Sequence, residues 1–195
     1  MADMEFGQAP VRERADAARN RVKILQAAAR LFAEHGVADV SMDQIASAAQ
    51  VGKGTLFRRF GDKSGLAAAL LDVREQDLQQ AILRGTPPLG PGAPANDRLV
   101  AFFAAYALFL EENLDLVHLS ETASPGARYR VGAYRFWHQH VRIMLNEARP
   151  DLDAEYLAHA LLAAVAADLR KATRASFSAE RVVAGVVQLV AAVTG

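Results

Sequence analysis

The chain has 195 residues, of which 52% are hydrophobic and 23% charged, and its 22 Lys and Arg balance its 22 Asp and Glu. This length allows one or two compact domains. The absence of cysteine excludes disulfides, thiolate nucleophiles and thiolate metal sites. No apolar run is long enough to span a bilayer, and the N-terminus lacks the apolar core of a secretion signal, so a cytoplasmic protein is expected.

The neutral total hides an uneven distribution of charge. The segment from Arg12 to Lys63 holds ten Lys and Arg against six Asp and Glu, a balance of +4, whereas the part from Ser64 onward holds twelve against fourteen, a balance of −2. Because DNA is a polyanion, the basic end of the chain is where a DNA partner is expected to bind.

The first 36 residues are predicted to form an arm and a helix. Residues 1–15 are expected to be flexible, with a solvated tail and a DNA-contacting arm as equal alternatives for their arginines. A helix is predicted from about Asp16 to His35, because apolar residues recur on one side of it. Gly36 then ends the helix as a C-terminal cap.

The segment from Ser41 to Phe60 predicts two short helices joined by a tight turn. Ser41 and Gln44 have the spacing of a capping box, and Val40 and Ile45 that of a hydrophobic staple. The second helix turns a hydroxyl, glycine and cationic side chains outward, which suits phosphates and base edges. The alternative is an ordinary helical hairpin with a solvated basic face. We favour DNA recognition, because the N-cap, the staple, a narrow apolar stripe, the turn and the basic second helix follow one another in the order that a helix-turn-helix needs. The residues predicted to contact DNA are Ser41, Lys53, Gly54, Thr55, Phe57, Arg58, Arg59 and Lys63.

From about Arg19 to Leu71 the sequence resembles the DNA-binding domain of the TetR family of transcriptional regulators. The resemblance rests on Ile24–Ala28 with Leu31–Gly36, on Ser41–Ala46, and on Val51–Phe60 with Asp62, Lys63 and Leu66. It implies phosphate contacts from Ser41, Lys53 and Lys63, and base or nearby phosphate contacts from Thr55, Arg58 and Arg59.

Two positions depart from the family pattern. Phe57 stands where tyrosine is usual, which removes a hydroxyl-to-phosphate bond. Gln50 stands where glycine is usual in the turn, and if its φ is positive the strain is of order 1 kcal/mol.

The remainder of the chain is predicted to be helical. A connecting helix runs from Lys63 to about residue 84, and a segment with four of the seven prolines follows at residues 85–95. Five further helices are expected at about residues 96–113, 114–120, 127–148, 152–175 and 178–194, the first of them capped by Asn96. The fold class is therefore all-α, with a three-helix helix-turn-helix domain at residues 16–62, the connecting helix at 63–84, and a larger ligand-binding and dimerisation domain at 85–195.

The last two helices have apolar surfaces broader than packing within one domain usually needs. Burial within the monomer is one explanation. We favour a four-helix bundle with a symmetry mate, which is also what the family resemblance implies. The predicted interface consists of Leu157, Leu161, Ala164, Val165, Val182, Val186, Leu189, Val190 and Val193.

An effector pocket is predicted on the central helices, which in the TetR family surround a ligand cavity. Aromatic groups with a few polar tips suit a small, largely apolar molecule, although plain core is an equally good explanation of the same pattern. The predicted lining is Phe102, Phe103, Tyr106, Phe109, His118, Tyr134, Trp137 and His138.

Metal, cofactor and enzyme functions lack sequence support. His138 and His140 are two apart on a predicted helix and point in different directions, and His159 lies farther on with no adjacent carboxylate cluster. No metal site, cofactor or catalytic residue is therefore predicted, since glycine-rich phosphate loops and nucleophile elbows are also missing.

The sequence as a whole predicts a dimeric, sequence-specific DNA-binding regulator. The favoured form is a repressor that leaves a near-palindromic operator when a small apolar or aromatic effector binds, with no membrane partner. Two alternatives stay open: a regulator without small-molecule control or acting as an activator, and a nonspecific architectural DNA-binding protein.

Overall fold

The computed structural model describes the backbone of residues 9–130 and 132–195. Throughout those ranges the regular structure is helical, without a strand, which confirms the predicted all-α class. The helices are α1 (Ala9–His35), α2 (Met42–Ala48), α3 (Lys53–Phe60), α4 (Lys63–Arg84), α5 (Ala95–Glu121), α6 (Ala127–Arg130), α7 (Gly132–Ala148), α8 (Ala154–Ala163), α9 (Ala167–Thr173) and α10 (Ala179–Thr194).

The chain divides within α4 into two compact units, one ending at Leu70 and the other beginning at Leu71. In the first unit α2 packs against both α1 and α3. Its core takes one apolar side from each helix, which is why short helices of low intrinsic stability persist here. The fully buried residues of this core include Ile24, Ala28, Ile45, Leu56, Leu66 and Ala67.

The second unit is built around α5, against which α7, α9 and α10 pack, while α8 packs against α7. Its large core is aromatic and aliphatic, and it includes Trp137, the single tryptophan of the chain, which is 2% exposed. Burying side chains of this size stabilises the unit by about 2 kcal/mol each.

Several helix bounds differ from those predicted. α1 begins at Ala9 rather than near Asp16, because Pro10 falls in the first turn, where no amide is needed, and Arg, Glu and Ala follow it. Residues 9–15 of the predicted flexible arm are thus helical, and residues 1–8 lie outside the described part of the chain. α5 begins after Pro94, and Asn96 does not cap it but donates to the Thr194 carbonyl at 3.4 Å.

Two helices predicted in the second unit differ in where they are broken. Asn113 has non-helical φ and ψ of −123° and 15°, so α5 is kinked at the predicted boundary between two helices. The helix predicted from 152 to 175 is interrupted instead at residues 164–166, between α8 and α9. Among the described residues, no helix is both long and apolar enough to cross a membrane.

Candidate nucleic-acid interface

α2 begins at Ser41 with the predicted capping box. The Gln44 amide donates to Ser41 Oγ at 3.2 Å, and the Ser41 amide donates to Gln44 Oε1 at 2.7 Å. Val40 and Ile45, the two residues of the predicted staple, are both buried. The start of the helix-turn-helix is therefore defined by local bonds that the sequence spacing predicts.

The turn that follows α2 is a Schellman motif. The Val51 amide donates to the Ala46 carbonyl at 3.0 Å, and the Gln50 amide donates to the Ser47 carbonyl at 3.1 Å. Gln50 stands where the family pattern has glycine, and its φ is positive, at 55°. A side chain is thus held in the left-handed region here, at a cost of about 1 kcal/mol.

α3 presents the predicted residues at the surface of the first unit. Leu56 is fully buried and fixes the helix to its domain, whereas Lys53, Gly54, Arg58 and Arg59 are exposed. A further two residues of the predicted set are also accessible, with Thr55 half-buried and Phe57 45% exposed. Val51 and Phe60, which the sequence places in the buried set, are only half-buried.

The amino end of α3 adds backbone donors to this surface. Gly52 supplies no side-chain cap, so the first amides of α3 keep the positive end of the helix dipole available to an anion. A Cβ atom built on Gly54 would meet nothing within 4 Å. The space in front of the α3 backbone is therefore open.

The cations of this surface differ in their partners. Lys53 Nζ lies 2.5 Å from Asp43 Oδ2 in an exposed ion pair, which costs little to exchange for a phosphate. Arg59 Nη1 donates to the Ala17 carbonyl of α1, so this side chain ties α3 to α1. In the described part of the chain, Arg58 has no side-chain hydrogen bond or ion pair, which leaves its guanidinium available to a ligand.

Lys63 has a geometry that argues against its predicted phosphate contact. Its ammonium group donates to the carbonyls of Val37 at 2.8 Å, Ala38 at 3.0 Å and Val40 at 3.0 Å. An ammonium group has three donors, and all three are used here. Lys63 therefore holds the loop between α1 and α2, a role that only the folded chain reveals.

The next helix is capped by the residue before Lys63. Asp62 Oδ1 accepts from the amides of Ser64 at 2.8 Å and Gly65 at 3.0 Å. The hydrogen bond from the Ser64 hydroxyl and that from the Gly65 amide hold the pKa of Asp62 below its ordinary value. A charged carboxylate thus stabilises the start of α4.

Comparison with known proteins agrees with this geometry. Residues 24–70 match the sequence model of the family described as bacterial regulatory proteins, tetR family. A helix-turn-helix-type transcriptional regulator of Staphylococcus aureus is 49% identical over 53 residues, which cover 27% of this chain and 29% of that protein. The chain thus matches less than a third of the length of these curated relatives.

Solved structures align with most of the chain. A TetR/AcrR-family transcriptional regulator from Thermobifida fusca is 23% identical, covers 87% of this chain and 95% of its own, and has a TM-score of 0.61. A TetR-family regulator from Pectobacterium atrosepticum is 21% identical, with coverages of 92% and 94% and a TM-score of 0.64. Thermus thermophilus FadR, a TetR-family repressor in complex with lauroyl-CoA, is 19% identical, with coverages of 89% and 92% and a TM-score of 0.62. At these identities the alignments show the fold.

Residues 24–70 thus match a TetR-family domain, and the chain shares its fold with solved TetR-family regulators. The helix-turn-helix of the first unit is the matched family domain, and the helical second unit completes the family fold. The matched domain is named for transcriptional regulation both in the family and in these relatives.

Several aromatic residues of the predicted effector pocket pack against one another. Phe102 contacts Phe103, Tyr106 and Trp137 with ring centroids 5.1, 5.8 and 5.9 Å apart. Phe102, Phe103, Tyr106, Tyr134 and Trp137 are buried in the core, while Phe109, His118 and His138 are half-buried. The aromatic pattern is thus explained here by core packing, and an effector at these residues stays a prediction.

The predicted dimer interface is divided between core and surface. Leu161, Val165, Val186 and Val190 are buried within the chain's own second unit, so these four face inward and the expectation that they meet a partner is wrong for this structure. The reason is that α5 and α7 already cover the inner faces of α8 and α10. Leu189 is 42% exposed, and Leu157, Ala164, Val182 and Val193 are half-buried.

A cavity of about 330 Å³ lies where α5, α9 and α10 meet. Its wall is mostly apolar, and Val165, Val182, Val186 and Leu189, assigned to the interface from sequence, contribute to it. Its polar lining residues are Arg170, Thr173 and Arg181. Arg170 Nη2 donates to Glu111 Oε2 at 3.0 Å, while its Nη1 is buried without a hydrogen-bond partner. The cavity therefore has a mostly apolar wall, which the sequence pattern did not reveal.

The structure also joins residues that the sequence analysis kept apart. His138, Glu155 and His159 have potential metal-ligand atoms within 4.8 Å of one another. His159, for which the sequence showed no adjacent carboxylate cluster, thus has the single carboxylate of Glu155 close to it. The overlooked signal is the i, i+4 spacing of Glu155 and His159, which places both on one face of α8.

Proposed function

We propose that this protein is a sequence-specific DNA-binding regulator of transcription and that α3 is its recognition helix. The observation that carries the proposal is the exposed basic face of α3, held by a capped α2, a Schellman turn and the buried Leu56. A recognition helix needs such a rigid mount, because base-edge readout depends on fixed side-chain positions.

The exposed groups divide into two kinds of DNA contact. Arg58 is assigned to base edges, since its guanidinium can bind guanine in a bidentate manner. Ser41, Lys53 and the first amides of α3 are assigned to phosphates, with Gly54 allowing close approach of the backbone. Thr55, Phe57 and Arg59 are also accessible on α3 and are assigned to the contact surface as packing or auxiliary polar groups.

The experiment selects duplexes from a random pool with the full-length protein and then compares the enriched sequence with a scrambled duplex at matched salt. We expect Arg58→Ala to weaken binding to the selected duplex by about tenfold to a hundredfold and to change scrambled-duplex binding little. Arg84→Ala, which removes an exposed charge at the end of α4, is the control and retains both affinities. Equal affinity of the wild type for both duplexes would instead identify a nonspecific architectural binder.

A second experiment separates binding from folding. Gly54→Leu introduces a side chain into open space, so we expect no loss of thermal stability and a gain from better helix propensity. The same side chain stands where the DNA backbone must approach, so DNA affinity falls by at least tenfold. Unchanged DNA affinity in a folded Gly54→Leu protein would remove α3 from the interface.

We further propose that the protein acts as a homodimer on a near-palindromic operator. Support comes from apolar side chains that the second unit leaves exposed on α8, α9 and α10, among them Tyr156 at 69%, Leu169 at 48% and Leu189 at 42%. A twofold dimer presents two recognition helices to two half-sites. Sedimentation of Leu189→Arg tests this, with a dimer expected for the wild type and a monomer for the variant.

Release from the operator by a small effector is the finer part of the proposal. The cavity of the second unit suits a largely apolar molecule, because its wall is mostly apolar. The Thermus thermophilus neighbour, a repressor in complex with lauroyl-CoA, is consistent with an effector of partly apolar chemistry. An effector acts only by its differential affinity for two states, typically 1–3 kcal/mol of coupling.

A release assay distinguishes the forms of regulation. Compounds are screened for dissociation of the protein from its selected duplex, and hits are repeated with Val186→Phe, which fills the cavity. Effector control predicts release that the variant resists while it keeps DNA affinity. A regulator without small-molecule control gives no release, and a reporter gene driven from the operator separates repressor from activator.

A further inference from the structure

His138, Glu155 and His159 come together on two packed helices of the second unit. His138 lies on α7, whereas Glu155 and His159 lie one turn apart on α8. The two imidazole rings have centroids 3.9 Å apart, and His138 Nε2 lies 3.8 Å from Glu155 Oε1. All three potential ligand atoms fall within 4.8 Å of one another.

The chemistry of this donor set matches that of divalent transition metals. Two imidazoles and one carboxylate are the protein ligands of many zinc sites that keep a fourth position for water. Zinc–ligand bonds of about 2.1 Å place tetrahedral ligands about 3.4 Å apart. The side chains of Glu155 and His159 are exposed, so they have room to close from the present separations to that distance.

A neighbouring tyrosine holds one of the imidazoles. Tyr134 Oη lies 2.7 Å from His159 Nδ1. When His159 Nδ1 carries its proton and donates to Tyr134 Oη, Nε2 is left as the metal ligand. Such outer bonds orient ligating histidines in known metal sites.

A competing cation shares the carboxylate. Arg142 Nε lies 3.5 Å from Glu155 Oε2, and this pair is solvent-accessible on both sides. Exposed ion pairs of this kind contribute little to stability, so a metal ion can displace Arg142 at small cost. His138 Nε2 is also 3.3 Å from the Glu155 backbone carbonyl, a weak contact that ligation would replace.

We propose that His138, Glu155 and His159 form a binding site for one divalent transition-metal ion that links α7 to α8. The site goes beyond DNA recognition, since it lies wholly in the second unit and its occupancy is measured without DNA. Because the site exists only in the folded chain, metal binding should also raise the thermal stability of the protein.

The test uses the full-length protein without an affinity tag, zinc chloride as the probe, and calorimetry with elemental analysis after dialysis. We expect one zinc per chain, with affinity reduced at least about a hundredfold in His159→Ala and in Glu155→Gln. Tyr134→Phe, which removes only the outer hydrogen bond, is expected to cost about tenfold. The variants should match the wild type in melting temperature in EDTA, and only the wild type should gain stability from zinc.

Two further variants make the test specific. Arg142→Gln removes the cation that competes for Glu155, so zinc binding should tighten, by about fivefold at most. His35→Ala is the matched control, because His35 Nε2 also lies near a carboxylate, 3.7 Å from Glu34 Oε2, but on α1. Zinc binding that is absent in the wild type, or equal in wild type and His159→Ala, would overturn the proposal.

Discussion

Gln50 occupies a position whose backbone geometry suits glycine. It is the residue after the C-cap of α2, with φ of 55°, and its amide takes part in the Schellman turn. An L-residue pays about 1 kcal/mol for this conformation, whereas glycine adopts it freely. The chain therefore carries a small, local strain next to its recognition helix.

We predict that Gln50→Gly raises the stability of the first unit by about 0.5–1 kcal/mol. The gain is smaller than the strain because glycine also has more freedom in the unfolded chain. Urea denaturation followed by circular dichroism measures the change, with Gln50→Ala as the control that keeps the strain. A loss of stability in Gln50→Gly would mean that the Gln50 side chain makes a compensating contact.

Lys53 and Lys63 have the same charge but different surroundings. Lys53 is paired only with exposed Asp43, whereas Lys63 donates to three loop carbonyls. We predict that Lys53→Ala lowers the salt dependence of DNA binding by about one unit of slope while leaving the melting temperature unchanged. Lys63→Met should lower the melting temperature and leave the slope unchanged. Affinities measured from low to moderate salt, together with thermal melts, separate the two roles, and the opposite assignment would restore Lys63 to the interface.

The sequence predicted contacts between residues that are close along the chain, but it did not predict hydrogen bonds to residues far along the chain. The Ser41–Gln44 capping box depends on a spacing of three residues, so it could be predicted and is confirmed. The bonds of Lys63 reach carbonyls more than twenty positions away, and the bond from Arg59 reaches α1. Such partners depend on tertiary packing, which single-sequence patterns do not contain.

The helices were predicted more reliably than their ends. The kink of α5 falls at Asn113, where the polar side chain donates to the Phe109 carbonyl at 2.8 Å, and a break was expected there. The interruption between α8 and α9 falls in a run of Ala and Val that has no helix-breaking residue. Its cause is long-range: Glu121, at the end of α5, accepts from the Ala167 amide at 3.1 Å and so caps α9.

Glu121 joins three helices through a buried ion pair. Its Oε2 accepts from Arg128 Nη1 at 2.7 Å as well as from Ala167, and both side chains of the pair are about one-tenth exposed. Arg128 Nη2 in turn donates to the Leu162 carbonyl at 2.7 Å. Burial raises the pKa of Glu121, and Arg128 opposes that rise.

We predict that Glu121→Ala destabilises the second unit by about 3 kcal/mol, because it leaves a buried guanidinium without its counter-charge. Denaturant unfolding monitored by Trp137 fluorescence measures this loss. Asp115→Ala is the matched control: it breaks the exposed pair with Lys171 and should cost less than about 1 kcal/mol. Adding Arg128→Met to Glu121→Ala should recover part of the loss, and equal costs for the two acidic residues would contradict the burial argument.

For the molecule as a whole, the sequence predicted an all-helical chain, and the described residues confirm this class. Which apolar residues face inward could not be predicted as well. The surfaces of α8 and α10 are apolar on more than one side, so Val186 and Val190 could be assigned to a partner, although they pack in the chain's own core. Periodicity reports that a face is apolar but does not name the surface that covers it.

Two buried titratable groups give the second unit opposing responses to pH. Burial, with the nearby charges of Asp72 and Glu121, raises the pKa of Glu75 to about 7. Burial, with nearby Arg98, lowers the pKa of His140 to about 4, and its Nε2 has no hydrogen-bond partner. As pH falls from 7 to 4.5 the folded state gains a proton at Glu75 before the unfolded chain does, which stabilises it. As pH falls from 6.5 to 4 the unfolded chain protonates its histidine first, which destabilises the folded state.

We predict that the effects of Glu75 and His140 on the stability of the second unit partly cancel between pH 6.5 and 4.5 in the wild type. A variant that lacks one of the two groups should show the effect of the other. In Glu75→Gln, stability of the second unit should fall with decreasing pH by about 2 kcal/mol relative to the wild type. In His140→Phe it should rise by a similar amount. Urea midpoints followed by Trp137 fluorescence at several pH values measure both changes, since this tryptophan reports only its own unit.

The control for this pair of variants is internal, because Glu121 also has a raised pKa and titrates in the same direction in all three proteins. Because the charge of Glu121 contributes to the raised pKa of Glu75, the difference for Glu75→Gln reports Glu75 together with its coupling to Glu121, whereas the difference for His140→Phe reports His140. If both variants show the same pH dependence of stability as the wild type, then the pKa values of Glu75 on α4 and His140 on α7 are not shifted by burial. If stability relative to the wild type changes with pH in opposite directions in the two variants, then the second unit buries a carboxylic acid and a neutral imidazole. Their opposing protonation effects keep the stability of the unit nearly constant at mildly acidic pH.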